Sequence, residues 1–534
     1  MLASAKGRLW LVSGSVAYAA LLVAIRGRPS LKSDSGVFLS VAGRLLHGDR
    51  LYVNVFDNKD PLFFYSHAAA LGIFGWAGPF LLDVIWVAIA AGSTLLLLRA
   101  LGASWLTAGV GFVAYPLLLT GEWYYAGYSL LAALSFAPLI GWLWLRERFA
   151  LAGAVLAVGL LYKVNLALVI ASAPLAIVLL GLSARPLKAQ VVKAALGVAA
   201  ILAATAVALA LAGELHGYLE TLVNNVSYSR EVLRTTNNPP GIHGHIKVAA
   251  WAASQPGHLA GLAVGKPLHL AVVVAAFLSA GLLAIGSLWR VAGRWGRPSP
   301  DPLVRALAAL YLCSVATTAL TLALTAAWFP HDQMLAFPSL ALIVFVVARI
   351  KLEIPRVPRP VVVAAIAVVG LVVLGGTAAA RHARDGGIGL WVKAGDSRTA
   401  DLITRTADAR LPGQHTITFA HLGQNDEEGA AAFLDDRFVL ACPAIAQYLF
   451  TADLSSVLQC ISEKRPQLIL VTTEFRPIRG AQPAWNRFVA GGTTLLEQSY
   501  ERVFTRRTET GIAAVWALPG TRTARAVVQT GRRG

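Results

Sequence analysis

The sequence predicts an all-α polytopic membrane domain of about eleven transmembrane helices, followed by a C-terminal soluble α/β domain. Of the 534 residues, 56% are hydrophobic and only 14% are charged, whereas roughly 25% of the residues are charged in soluble chains. Apolar stretches close to the roughly 20 residues that a membrane-spanning helix needs recur from about residue 9 to about residue 380. From Arg381 onward these stretches stop, and 19 Lys/Arg and 15 Asp/Glu give the charge density of a soluble domain.

The apolar stretches place the helices and the domain boundaries. Membrane helices are expected at 9–25, 80–98, 104–120, 127–145, 149–162, 164–183, 190–212, 268–289, 303–327, 334–348 and 360–379. The chain then divides into a membrane domain (1–380), an α/β domain (381–520) and a disordered basic tail (521–534). In the α/β domain we expect helices at 394–411 and 454–464, and strands at 416–420, 467–472, 503–507 and 513–518.

The apolar run from Pro61 to Phe74 is treated separately. With about 14 residues it is short for a membrane span, and a crossing there would invert every later loop. We therefore interpret it as an interfacial or re-entrant helix. In the span at 104–120, the small residues Gly109 and Gly111 are expected to allow close helix approach.

The distribution of Lys and Arg predicts the orientation. Short basic loops, which stay on the cytoplasmic side, carry Arg99, Arg146, Arg148, Arg185, Lys188, Arg290, Arg294, Arg297, Arg349, Lys351, Arg356 and Arg359. The alternate short loops contain Lys163 as their only Lys or Arg. This pattern predicts a multi-pass protein of the plasma (inner) membrane, with residues 26–79, 213–267 and the C-terminal domain on the extracytoplasmic side.

Charge and cysteine content narrow the function classes. The formal net charge of +18 comes mostly from these short clusters between apolar segments, so a nucleic-acid partner is not expected. Three cysteines are too few for a disulfide scaffold. Cys442 and Cys460 share the soluble domain and would pair in an oxidising compartment, although the sequence leaves this pairing open.

Residues directly after the first membrane helix resemble a known family. Ser33-Asp34-Ser35-Gly36 is followed by His47-Gly48-Asp49-Arg50-Leu51-Tyr52-Val53-Asn54-Val55-Phe56-Asp57-Asn58-Lys59-Asp60-Pro61-Leu62. This segment is similar to the first external loop of GT-C glycosyltransferases, in particular the protein O-mannosyltransferase and aminoarabinose transferase (glycosyltransferase 39-like) family. Gly159-Leu160-Leu161-Tyr162-Lys163, and Phe329-Pro330-His331 followed by Phe337-Pro338, resemble two later motifs of that family.

The resemblance implies an inverting glycosyltransferase that moves a hexosyl or pentosyl group from a polyprenyl-phosphate donor to a cell-envelope acceptor on the outer face of the membrane. Asp34 is the expected catalytic base, because an attacking hydroxyl must lose its proton to a nearby carboxylate. Lys59, Lys163 and His331 are the expected donor phosphate-binding residues. Glu122 and Asp57 are expected to bind the sugar or the acceptor.

Several questions stay open at this point. No definite cofactor is predicted, since two carboxylates, Asp34 and Glu122, make an incomplete site for a divalent cation. The expected partners are the lipid-linked sugar donor, a glycan, lipid or protein acceptor, and the lipid bilayer. The alternative functions are a transporter or lipid-linked sugar flippase without transferase chemistry, and a structural scaffold that recruits partners. The C-terminal domain is expected to bind the acceptor or to cover the membrane site.

Overall fold

The structure, a computed structural model, describes residues 5–26, 34–57, 59–120, 129–223, 278–279, 281–288, 301–325, 336–353, 416–422, 437–445, 454–472, 475, 483–507, 512–523 and 525–526. The predicted helices at 360–379 and 394–411 lie outside these residues. So do residues 268–277 of the predicted helix at 268–289, whereas residues 281–288 are helical.

Helices dominate the first two thirds of the described chain. They are α1 (Ala5–Arg26), α2 (Asp34–Leu46), α3 (Pro61–Phe74), α4 (Gly78–Ala100), α5 (Trp105–Leu119), α6 (Ser129–Ser135), α7 (Ala137–Leu145), α8 (Phe149–Tyr162), α9 (Ala167–Ile170), α10 (Ser172–Leu179), α11 (Leu187–Leu211), α12 (Pro302–Thr325) and α13 (Ala336–Glu353). Residues 215–223 are also helical, and β1 (Val55–Phe56) lies between α2 and α3.

Two of the predicted spans are interrupted. The span expected at 127–145 is divided at Phe136, and Pro138, which has no backbone N–H to donate, lies in the first turn of the second piece. The span expected at 164–183 begins as a 3-10 turn at Val164–Leu166 and is divided again at Ala171. Apolar composition predicts the two spans but does not predict the positions at which their helices are interrupted.

Four helical stretches among the described residues are long and apolar enough to cross a membrane. They are Ala5–Ile25, Pro61–Ala100, Leu187–Leu211 and Pro302–Thr321. The other predicted spans within the described ranges correspond to shorter apolar helices of 10–17 residues. Length and composition thus agree with a membrane protein, and the number of eleven spans stays a prediction.

The 40-residue stretch that begins at Pro61 is not one straight helix. Its parts α3 and α4 are joined by the 3-10 turn Gly75–Ala77, and the backbone of Gly78 lies against the carbonyl group of Ala70. In a straight helix, residues eight positions apart are separated by about 12 Å, so the chain turns sharply here. Gly75, at φ 55°, permits the turn because it has no Cβ.

The chain divides into two compact units. The first comprises Met1–Arg28, Phe80–Thr205 and Pro239–Leu390, and the second comprises Pro29–Pro79, Ala206–Asn238 and Trp391–Gly534. The loop that carries the family resemblance therefore belongs to the same unit as the C-terminal domain. Such an assembly brings together segments that are hundreds of residues apart in the chain.

Close helix contacts in the first unit occur at glycines. A Cβ on Gly153 would collide with the carbonyl of Ala194, and a Cβ on Gly197 would collide with the carbonyl of Ala150, so α8 and α11 approach backbone to backbone. A Cβ on Gly111 would collide with the side chain of Leu98 on α4, whereas no described residue lies within 4 Å of a Cβ on Gly109. The prediction of close approach is thus confirmed for Gly111, and for Gly109 it has no described contact to support it.

Two of the basic loops lie at the same end of the first unit. Arg185 Nε lies 3.2 Å from Glu147 Oε2, and the indole N–H of Trp144 donates to Gln190 Oε1 at 2.8 Å. The loop after α7 and the loop before α11 are therefore in contact. This agrees with their predicted location on one side of the membrane.

The second unit contains a five-stranded mixed sheet. Its strands are β2 (Ile417–Leu422), β3 (Phe438–Leu440), β5 (Leu468–Val471), β6 (Glu501–Arg507) and β7 (Ile512–Ala517), in the order β3-β2-β5-β7-β6. The first three strands are parallel, and β7 is antiparallel to both of its neighbours. A short strand, β4 (Ala444–Ile445), pairs in parallel with β1, which lies in the loop before α3.

The two faces of the sheet are covered differently. The helices α14 (Ser455–Lys464) and α15 (Pro483–Ser499) pack on the face that presents Ala420 and Ile469. On the other face lie Phe419 and Leu468 with their neighbours. This alternation follows from the two-residue period of a strand and places apolar side chains on both faces.

The predicted elements of this domain are partly confirmed. The strands at 416–420, 467–472, 503–507 and 513–518 and the helix at 454–464 are present within two residues of their expected bounds. The strands β3 and β4 and the helix α15 were not predicted. The disordered tail does not begin at Thr521, because Thr523 is buried and Ala526 packs in the sheet core; the residues beyond 526 lie outside the described part.

Candidate active site

The helix α2 positions the predicted base. Asp34 is its first residue, and the side chain of Asp34 lies outside what the structure describes. Phe38 follows one helical turn later, so Asp34 and Phe38 occupy the same face of the helix. The Nζ atom of Lys59 lies 5.4 Å from the ring centre of Phe38. Lys59, the predicted phosphate-binding lysine, therefore lies beside the helix face to which position 34 belongs.

Three ionisable residues are buried together in the loop before α3. Asp57 is 0% exposed, Lys59 is 5% exposed and Asp60 is 3% exposed. The backbone N–H of Lys59 donates to Asp57 Oδ1 at 2.9 Å, which fixes these two predicted residues relative to each other. Burial of charged groups costs free energy, so such a cluster marks a candidate functional site.

The first half of this loop is held in a strained conformation. Tyr52 has φ 61°, a region that costs a non-glycine residue of the order of 1 kcal/mol or more. Its N–H donates to the carbonyl of Val55 at 2.8 Å, and its hydroxyl donates to the carbonyl of Lys59 at 2.7 Å. Tyr52 thereby links the turn at its own position to the segment that carries Asp57 and Lys59.

Two residues that the sequence did not single out contact the loop from a distant segment. Glu214 Oε1 accepts from the N–H of Leu51 at 2.8 Å, and Glu214 Oε2 accepts from the hydroxyl of Tyr65 at 2.5 Å. The hydroxyl of Tyr218 donates to Asp60 Oδ1 at 3.0 Å. A signal for Glu214 was present in the sequence, because it is the first acid after a long apolar helix, as is Asp34.

Burial sets the protonation of these groups. Desolvation raises the pKa of Glu214, an effect that the hydrogen bonds from Tyr65 and Leu51 oppose. Desolvation, followed by the charge of Asp60, raises the pKa of Tyr218 well above its ordinary value. Tyr218 therefore keeps its proton and acts as a hydrogen-bond donor to Asp60.

The other end of α2 is tied to the sheet by Arg44. Its guanidinium is buried, contacts Asp49 Oδ2 at 2.5 Å and donates to the carbonyl of Phe438 at 2.6 Å. The carbonyl of Asn54 accepts from the N–H of Ala444 at 2.9 Å, next to the pairing of β1 with β4. The end of α2 and the loop before α3 are thus each bonded to the C-terminal domain.

Of the other three predicted site residues, the structure describes one. Lys163 ends α8 in the first unit, where it is half-buried and its N–H donates to the carbonyl of Gly159 at 3.1 Å. Glu122 and His331 lie outside the described residues. The structure places Asp57 and Lys59 in one loop. The convergence of five residues on one cavity stays a prediction, and these are Asp34, Lys59, Glu122, Lys163 and His331.

A metal site is not formed within the described ranges. Among those residues, no group of three or more His, Cys, Asp and Glu side chains could hold a metal ion. The divalent cation considered from the sequence depends on Asp34 and Glu122, whose side chains lie outside that part of the chain. No metal role is assigned to the residues of the loop.

The sequence matches no protein-family model and no curated protein. Several solved structures are similar to the chain, and three of them are described below. Arabinofuranosyltransferase AftD from Mycobacteria has 15% identity and a TM-score of 0.46, over 97% of this chain and 40% of its own length. The oligosaccharyltransferase AglB from Archaeoglobus fulgidus, in complex with an inhibitory peptide and a dolichol-phosphate, has 14% identity and a TM-score of 0.42, over 99% of this chain and 78% of its own. ArnT from Cupriavidus metallidurans, bound to undecaprenyl phosphate, has 14% identity and a TM-score of 0.41, over 97% and 99%.

These neighbours are GT-C glycosyltransferases, the superfamily that the sequence resembles. The chain spans less than half the length of AftD. At TM-scores below 0.5, the likeness carries no inference about the chemistry of this chain.

Proposed function

We propose that this chain is an inverting glycosyltransferase that moves a sugar from a polyprenyl-phosphate donor to a cell-envelope acceptor. The observation that supports the proposal most is the position of Lys59, whose buried ammonium lies over the ring of Phe38, one helical turn after Asp34. Asp34, by its position in the helix, and Lys59 are the acid and the cation that the reaction requires. The resemblance of this loop to GT-C enzymes leads to the same reaction.

The reaction needs a base and a site for the leaving group. The acceptor hydroxyl attacks the anomeric carbon, and its proton passes to the carboxylate of Asp34. The bond between that carbon and the phosphate oxygen breaks, and the lipid phosphate leaves with the electron pair. The ammonium of Lys59 stabilises the charge that grows on this phosphate, because a cation in a buried site interacts more strongly than in water.

The other predicted residues take roles that follow from their charge. Lys163 and His331 are proposed to bind donor phosphate, the role also assigned to Lys59. Asp57 and Glu122 bind hydroxyl groups of the sugar or the acceptor. The backbone N–H of Lys59 holds Asp57 Oδ1 in place.

The reaction is proposed to occur on the extracytoplasmic side of the plasma membrane. Cys442 and Cys460 form a disulfide, with their Cα atoms 5.8 Å apart. Disulfides persist in oxidising compartments and are rare in the bacterial and eukaryotic cytosol. The pairing therefore supports an extracytoplasmic location for the C-terminal domain and for the loop that is bonded to it.

The variant Asp34→Asn tests the proposed base. We expect it to abolish sugar transfer from polyprenyl-phosphate sugar in membrane vesicles and to leave the amount of protein unchanged, because the amide cannot accept the acceptor proton. Glu463→Gln, which alters an exposed carboxylate on α14, serves as the matched control and should keep wild-type transfer. Wild-type transfer by Asp34→Asn would remove Asp34 as the base.

A further inference from the structure

We propose that Glu214 is a positioning residue of the transfer reaction and that, together with Tyr218, it holds the catalytic loop in place. The catalytic loop, as the name is used here, comprises residues 51–65, which are the segment before α3 and the first turn of α3, and it carries Asp57 and Lys59. This inference rests on the proposed function. It assigns a role to residues of a segment about 150 positions away in the chain.

The carboxylate of Glu214 joins the two ends of the loop. One oxygen accepts from the backbone N–H of Leu51 at the start, and the other accepts from the hydroxyl of Tyr65 at the end. A carboxylate has no donor and two acceptor oxygens, so it suits two donors at once. Glu214 is 2% exposed, and these two bonds offset part of the cost of burying it.

Tyr218 adds a third connection one helical turn later. Its hydroxyl donates to Asp60 Oδ1, and its ring centre lies 5.3 Å from that of Tyr52. Residues i and i+4 share one face of a helix, so Glu214 and Tyr218 contact the loop from the same direction. Together they hold its beginning, its middle and its end.

Gly217 allows the helical segment at 215–223 to lie directly on the loop. A Cβ at this position would collide with the carbonyl oxygen of Tyr52. The contact is therefore between two backbones. It restricts movement of the helical segment relative to the loop and so keeps Glu214 and Tyr218 within hydrogen-bond distance of their partners. Because a displacement of about 1 Å can reduce a reaction rate about 100-fold, such a support is expected to affect the reaction.

The test compares two glutamates of the same segment. Glu214→Ala removes both hydrogen bonds, whereas Glu220→Ala removes an exposed carboxylate whose partner is His216. Glu214→Gln retains an acceptor for Leu51 and a donor for the Tyr65 oxygen. Sugar transfer by the full-length purified protein and hydrogen exchange of the peptide that contains the Leu51 amide are measured for each variant and for the wild type.

We expect Glu214→Ala to lose roughly 10- to 100-fold in kcat/KM for the polyprenyl-phosphate sugar and to exchange the Leu51 amide faster. Glu220→Ala should match the wild type in both measurements, and Glu214→Gln should recover most of the activity. Equal transfer and equal exchange by Glu214→Ala and Glu220→Ala would overturn the proposal. A global loss of protection in Glu214→Ala, not confined to the loop and not recovered by Glu214→Gln, would also overturn it.

The two measurements separate this inference from the proposed function. If the wild type transfers no sugar, the proposed function fails, and hydrogen exchange alone decides whether Glu214 holds the loop. Faster exchange confined to the loop in Glu214→Ala would then support that contact, and unchanged exchange would refute it. If the wild type transfers sugar, the proposal requires that Glu214→Ala both lowers sugar transfer and speeds exchange of the Leu51 amide.

Discussion

At the scale of single residues, buried charge distinguishes the loop before α3 from an ordinary surface loop. Asp57 and Lys59 were predicted from residue type and resemblance, and both are buried in one loop. The hydrogen-bond partners of Glu214 and Tyr218 could not be predicted from the sequence pattern, because those partners lie about 150 residues away in the chain. Hydrogen bonds of this kind depend on tertiary structure and leave no local period in the sequence.

Gly217 offers a direct test of the contact between the 215–223 segment and the loop. Gly217→Ala should lower stability by about 1–3 kcal/mol, because the new methyl group would overlap the carbonyl of Tyr52. The thermal midpoint of the purified protein measures this effect. Gly109→Ala, where the methyl group meets nothing within 4 Å, should leave the midpoint unchanged or raise it, and equal midpoints for the two variants would contradict the contact.

At the scale of elements, the longer strands were predicted from their apolar residues, and the short length of the other strands explains why they were missed. The strands β3 and β4 have three and two residues, too few for a period to appear. The helix α15 contains Gly491 and Gly492, which disfavour a helix by about 1 kcal/mol each. Both glycines lie against side chains, Leu458 and Phe475, so packing accounts for residues that local propensity rejects.

The disulfide between the β3–β4 segment and α14 gives a thiol count that can be measured. Cys313 is the free cysteine among the described residues, so alkylation of unfolded, unreduced protein should label one thiol, and reduction should raise the number to three. By the chain-entropy estimate, losing this cross-link costs about 3 kcal/mol. Three labelled thiols without reductant, in protein purified from membranes, would contradict the pairing.

Because His421 in β2 is buried, we expect the stability of the protein to decrease at acidic pH. Burial lowers the pKa of His421 to about 3, against about 6.5 in an unfolded chain. The unfolded state therefore binds more protons between these values, and stability falls as the pH falls below about 6.5, by about 2 kcal/mol at pH 5. His421→Leu should lessen the decrease in thermal midpoint between pH 7 and pH 5, and an unaltered decrease would show that His421 is not its source.

At the scale of the whole molecule, composition predicted the membrane character, but not which segments assemble. The second unit combines residues 29–79, residues 206–238 and the C-terminal domain, whereas the sequence suggested one boundary near residue 380. The length of an apolar stretch predicts a single helix and carries no information on which segments contact it. It does not show that β1 pairs with β4 about 390 residues later, or that Arg44 binds the backbone of β3.

Incubation of the purified wild-type protein with a panel of radiolabelled polyprenyl-phosphate sugars tests the proposed transferase activity most directly. We predict that at least one sugar is released from its lipid or transferred to an acceptor, and that Asp34→Asn gives no product with the same donor. No release or transfer from any polyprenyl-phosphate sugar, by protein that is folded and binds the lipid, would contradict the transferase and favour a transporter or flippase.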